Sequence, residues 1–274
     1  MNSRELTVLE HMEELRKRLF FVAIFFVMAL FIGFYTAKPL IRYIQRSDLA
    51  ASFSMNAFSP ADPLTVYLQV TFIVAAVIVS PLLLYQLWAF ITPGLHEAER
   101  KATLKYIPYA FVLCIGGIAF AYFVLFPFIM RFMTDLSNDL NITQTIGINE
   151  FFSFLIKLIV PFAVLFQLPV VTLFLSRLGI INPKLMVKFR KYAYFVLIVI
   201  SVLLAPPDLV SNIIIAIPLF VLYELSIVIA RIGYRKYEVA EKERLLAEEE
   251  RERELQVEEL LEMQRRQMEQ MNNS

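Results

Sequence analysis

Four long apolar runs, nearly free of charge, dominate the first two thirds of the chain: Leu19 to Tyr35, Leu64 to Ile91, Tyr106 to Met130 and Phe151 to Ser176. The hydrocarbon core of a bilayer is ~30 Å thick and a helix rises ~1.5 Å per residue, so each run predicts one spanning helix. Two further runs are less regular. Tyr192 to Ala205 supplies fourteen residues before Pro206-Pro207-Asp208, and Leu209 to Ala230 is long enough but contains Pro218. Fourteen residues reach only roughly 21 Å as a helix, which requires local thinning of the bilayer or a re-entrant hairpin. The pattern predicts an all-α membrane protein with six transmembrane helices, the fifth and sixth of them short.

Prolines interrupt several of these runs: Pro81 in the second, Pro161 and Pro169 in the fourth, Pro218 in the sixth. Each removes a backbone donor and favours a kink, so the bundle is expected to be bent. Pro206, Pro207 and Asp208 mark a structural turn between the last two runs.

The basic residues orient the spans, because short cytoplasmic loops carry the Lys/Arg excess. The segments assigned to the inside hold Arg4, Arg16, Lys17, Arg18, Arg100, Lys101, Lys105, Arg177, Lys184, Lys188, Arg190, Lys191, Arg231, Arg235 and Lys236. Those assigned to the outside hold Lys38, Arg42, Arg46 and Arg131. Both termini are therefore expected in the cytoplasm. Residues 1–18 read as a cytoplasmic amphipathic segment, 19–230 as the transmembrane domain, and 231–274 as a charged cytoplasmic tail.

Composition agrees, since 58% of the residues are hydrophobic, more than a soluble core can hide. Twelve of the twenty-five acidic residues lie beyond Tyr237, leaving the membrane part net basic. The single cysteine, Cys114, excludes an intrachain disulfide. The first run is longer than a signal-peptide core and is followed by no small-x-small cleavage site, so it reads as a retained span.

Residues 38–63 and 131–150 are expected to form outer loops that build a small cap. The tail from Glu238 has Glu and Lys or Arg four residues apart, as at Glu238/Lys242 and Glu249/Arg253, and predicts a solvated helix without a sustained heptad seam.

Polar residues at membrane depth are costly and are candidates for function. Gln167 in the fourth run and Glu224 in the sixth stand out; Gln86 lies near the inner end of the second run, and Lys157 is expected to snorkel outward. An internal helix-to-helix hydrogen bond and a partner contact are equally open for Gln167. On the cytoplasmic side, residues 9–18 mix both signs immediately before a span, with Glu14 and Arg18 spaced for an ordinary i,i+4 pair.

Several motifs occur in order along the chain: His11-Met12-Glu13-Glu14-Leu15-Arg16-Lys17-Arg18-Leu19, then Ser80-Pro81 through Tyr85-Gln86-Leu87-Trp88-Ala89-Phe90-Ile91 to Pro93-Gly94-Leu95 and Glu99-Arg100, then Ala119-Phe120-Ala121-Tyr122-Phe123. Leu204-Ala205-Pro206-Pro207-Asp208 and Ile217-Pro218-Leu219 follow. Together they resemble TatC, the large subunit of the twin-arginine protein translocase, over about residues 7–232. The resemblance implies a TatC-like bent bundle in the cell membrane. It also implies a receptor that binds the twin-arginine signal peptides of folded precursors at its cytoplasmic face. TatA-type single-span subunits, and a TatB-type subunit where one exists, would join it, as would further copies of the chain. Transport in the family is driven by the proton-motive force, with no cofactor, metal, nucleic acid or enzymatic step.

Carried over by position, the resemblance assigns signal-peptide binding to Glu14 and Glu99, flanked by Phe90 and Arg100. A carboxylate accepts the planar guanidinium fork bidentately, whereas lysine offers a point charge, so two separated carboxylates suit two consecutive arginines. Gln167 and Glu224 are the candidate partner-subunit contacts. Many members of the family carry a glutamate where this chain has Gln167, so here a hydrogen-bonding role replaces a titratable one.

Two other function classes compete. An ion-coupled secondary transporter of a small solute needs convergent polar groups near the midplane, for which Gln167 and Glu224 are thin support. An intramembrane hydrolase needs a nucleophile and base at shared depth, whereas both histidines, His11 and His96, lie in cytoplasmic segments.

Overall fold

The computed structural model describes residues 8–47, 50, 55–91 and 106–272. Helix α1, Val8–Gln45, runs without a break from the charged amphipathic segment through the first apolar run and past Pro39. Helix α2, Asp62–Ile91, contains Pro81 and returns against α1. Their contact depends on a small residue. A Cβ placed on Gly33 would lie 2.5 Å from the carbonyl oxygen of Thr71, so only glycine lets the two backbones approach this closely. One turn away, Tyr67 donates from its hydroxyl to the Phe34 carbonyl at 2.5 Å, and the two rings meet edge to face.

The third run forms α3, Tyr106–Phe120, a π-helical turn over Ala121–Leu125, and α4, Phe126–Asp139. Pro127 is the cause nearest to hand. In an α-helix its ring would strike the carbonyl four residues back, and it offers no N–H; widening the preceding turn relieves the clash. The Phe126 N–H accordingly reaches back five residues to the Ala121 carbonyl.

Outside the helices, β1, Met55–Asn56, pairs in parallel with β2, Ile146–Gly147, in the register Met55 to Ile146 and Asn56 to Gly147. Asp62 braces this cap by accepting the Phe58 and Ser59 N–H groups, both at 2.8 Å. Segments 38–63 and 131–150 thus meet through this strand pair, although both begin as helix, up to Gln45 and Asp139.

The fourth run is broken just ahead of Pro169, whereas Pro161 stays inside an unbroken helix. Helix α5, Ile148–Leu165, stops two residues short of α6, Leu168–Arg177, and Gln167 sits in the gap with Pro169 opening the second helix. A short α7, Pro183–Lys188, leads into α8, Arg190–Leu204, and then α9, Leu209–Asn272, carries the sixth run and the tail as one helix. Among the described residues, five helical stretches are long and apolar enough to cross a membrane; α8, at fifteen residues, is an apolar helix below that length.

Buried aromatic and branched side chains form the core, among them Phe126, Phe152, Phe162, Ile129, Leu155 and Leu158, with Ile215 and Leu219 from α9. Phe126 meets Phe151 edge to face at 5.1 Å. Many large apolar side chains on the same helices point outward, for instance Phe31, Phe123, Phe195 and Val221. That exposure is ruinous in water and ordinary in lipid.

Candidate functional site

Glu14 lies near the N-terminal end of α1. Its Oε1 accepts from Arg18 Nη2 at 2.5 Å and Nε at 3.0 Å, and both side chains are 26% exposed. Arg18 also donates from Nη1 to the Oε1 of Gln86 on α2 at 3.1 Å. The i,i+4 pair read from spacing is therefore present, and Gln86 makes it a bridge between two spans. Both guanidinium contacts fall on the same oxygen, so Glu14 Oε2 has no partner among the described residues. Phe90 is half-buried in the last turn of α2. Glu99 and Arg100 lie outside the described residues.

Gln167 occupies the bend of the fourth run and donates from Nε2 to the Ala110 carbonyl of α3 at 3.1 Å, with a longer contact of 3.4 Å to the Ala163 carbonyl. Its Oε1 is buried without a hydrogen-bond partner among the described residues. The internal helix-to-helix bond is thus formed by one end of the amide only.

Glu224 is held between α8 and α9. Arg190 Nη2 donates to its Oε2 at 2.6 Å and the Tyr194 hydroxyl to its Oε1 at 2.6 Å. An acid among Phe220, Val221, Leu225 and Val228 is tolerable only when neutralised in this way. Arg190 and Tyr194 were within reach of sequence reasoning, since they stand one turn apart at the start of the fifth run, but nothing local names Glu224 as their partner.

Pro81 lies inside α2, where the Ser80 hydroxyl donates to the Val77 carbonyl at 2.8 Å. Pro206 and Pro207 separate α8 from α9. Asp208 then caps α9, with its Oδ1 accepting the Ser211 N–H at 2.6 Å. Beside it, the Ser201 hydroxyl and Asn212 Oδ1 form a short contact across the turn. The structure brings Glu14 together with Gln86, and Glu224 with Arg190, but shows no bond between those two groups. Among the described residues no three His, Cys, Asp or Glu side chains converge as metal ligands would.

The family described as Sec-independent protein translocase protein (TatC) matches residues 10–218. This chain belongs to the TatC family. It is 51% identical over 236 residues to the Sec-independent protein translocase protein TatCy of Bacillus subtilis (strain 168), covering 86% of this chain and 93% of that one. It is 50% identical over 242 residues to the TatC of Halalkalibacterium halodurans, covering 88% and 96%. The crystal structure of the twin-arginine translocase receptor TatC superimposes with a TM-score of 0.73 at 32% identity, covering 82% of this chain and 99% of that one. These TatC relatives and the apolar helices make the chain a multi-pass cell-membrane protein with the role of the TatC core subunit in the twin-arginine translocase. They do not favour the small-solute transporter.

Proposed function

We propose that this TatC is the signal-peptide receptor of its translocase and that Glu14 and Glu99 read the paired arginines. Glu14 carries the argument. It is a partly buried carboxylate at the membrane surface that already holds a guanidinium, and its second oxygen has no partner among the described residues. Arg18 keeps that carboxylate oriented from one side while a signal arginine approaches from the other. Glu99 would take the second arginine, with Phe90 and Arg100 shaping the flanks. On this reading both termini face the cytoplasm, six helices cross the membrane, and the segments 1–18, 19–230 and 231–274 keep the roles their charge suggests.

Gln167 and Glu224 are the proposed contacts for TatA-type subunits, with a TatB-type subunit and further copies of the chain in the same assembly. Gln167 is a half-buried amide at the break of the fourth run, which supports the first of these. Export then draws on the proton-motive force. The deciding experiment compares binding of two otherwise identical signal peptides, one with Arg-Arg and one with Lys-Lys, to the purified protein. A strong preference for Arg-Arg is expected, and equal binding would remove the receptor reading.

A further inference from the structure

A groove of about 420 Å³ opens between α7 and α9, and none of the candidate site residues described above lines it. Lys184 enters it from α7, and Arg231 and Arg235 from successive turns of α9. Asn182 Nδ2 donates to the Tyr234 hydroxyl at 3.4 Å and ties the two walls together. Among the described residues no carboxylate lies within 4 Å of any of the three cations. The groove's one acid, Glu238, stands a turn further along the tail.

Position decides what such a groove is for. Arg231 is the first charge after the apolar stretch from Leu209 to Ala230, so the groove lies where that helix leaves the hydrocarbon. Tyr234 and Tyr237, ring to ring at 5.7 Å, stand at the same level, as aromatic residues do at headgroup depth. On the membrane side of Arg231, α9 presents Val228, Leu225 and Val221 outward, each at least half exposed. Close packing fixes one wall: a Cβ on Gly233 would lie 2.8 Å from the Leu173 carbonyl, so α9 is seated firmly against α6 at this point.

We infer that this groove binds the phosphate of an anionic phospholipid, held by Lys184, Arg231 and Arg235, with an acyl chain along the Val228 face of α9. Three cations against one carboxylate leave the groove net positive, which a zwitterionic headgroup does not balance and an anionic one does. Basic pockets between spans at a membrane surface recognise lipid headgroups by this chemistry.

The test is native mass spectrometry of the full-length protein released from micelles containing phosphatidylglycerol or phosphatidylcholine. The variants are Arg231→Gln with Arg235→Gln, Lys184→Gln alone, and an Arg251→Gln control on the exposed tail. A cation near a membrane surface contributes about a factor of five in lipid affinity, so the double variant should lose phosphatidylglycerol affinity on the order of thirtyfold. Lys184→Gln should lose about fivefold, and the control should match the parent. Because Lys184 lies on the opposite wall, it decides the matter if the double variant does not fold. Equal retention of the two lipids by the parent overturns the inference, as does full retention by Lys184→Gln. Inorganic phosphate binding the parent with no lipid preference would also overturn it, leaving a plain anion site.

Discussion

The Arg18 guanidinium on α1 reaches the Gln86 amide oxygen on α2 at 3.1 Å while still holding Glu14 on its own helix. An exposed i,i+4 pair contributes only ~0.3 to 0.5 kcal/mol. Here the same pair is partly buried and joined to a second span, so the orientation of the Glu14 carboxylate is set by tertiary structure.

If Glu14 and Glu99 accept arginine from a signal peptide, each contact is a charge-assisted hydrogen bond of roughly 1.5 to 3 kcal/mol. Glu14→Ala or Glu99→Ala should weaken Arg-Arg peptide binding about ten- to a hundredfold and narrow the preference over Lys-Lys. Arg18→Gln should weaken binding less than Glu14→Ala does, because it loosens the orientation of the carboxylate but leaves both of its oxygens able to accept. Equilibrium titration with labelled peptide checks all three. A loss in Arg18→Gln equal to that in Glu14→Ala would show that Glu14 acts only through Arg18.

Gln167→Leu removes the bond to the Ala110 carbonyl and the buried acceptor together, at an expected cost of about 0.6 to 2 kcal/mol. Co-purification of a single-span partner subunit should fall. Gln167→Glu should retain part of it, since a protonated acid can still donate to Ala110. Parent-like assembly and export by Gln167→Leu would reduce this residue to packing.

Orientation is open to a chemical test in a Cys114→Ser background. Cysteines replacing Ser52 and Asn138 should react with an impermeant thiol reagent added outside intact cells, and those replacing Ala98 and Leu185 should not. Labelling at position 98 from outside would invert the topology.

Gly33→Leu should separate α1 from α2, because even a Cβ would collide with the Thr71 carbonyl. The expected destabilisation is about 1 to 3 kcal/mol, the usual range for overpacking, read as a lower midpoint of thermal unfolding in detergent. Gly116→Leu serves as the control, since a Cβ there meets no heavy atom within 4 Å. Equal midpoints would mean that the helices part without cost.

Local signals carried much of this architecture. Apolar length placed the five long helices, Pro169 foretold the break beside Gln167 while Pro161 was absorbed within α5, and Pro206-Pro207-Asp208 foretold the stop before α9. Charge spacing in the tail foretold its helix, whose ion pairs include Arg244 with Glu248 at 3.1 Å. What stayed hidden was partnership across the chain. Gln167 bonds to a carbonyl 57 residues earlier, Arg18 to an amide 68 residues later, and β1 to a strand beyond the third span. Periodicity says which face a residue occupies but not which neighbour fills it. The π-turn escaped for another reason: Ala121 to Leu125 are as apolar as any helix, and only the strain of Pro127 sets them apart.

That turn also changes what the third span can tolerate. A π-turn is an α-helix holding one surplus residue, and the faces on either side are already aligned around it. Excising a single residue between Ala121 and Leu125 would therefore keep Cys114 above and Ile129 below on the sides they now occupy. Elsewhere in the span a one-residue loss rotates everything beyond it by roughly 100° at 3.6 residues per turn, carrying Ile129 out of the core. Insertions and deletions among homologous sequences should accordingly collect in this five-residue window.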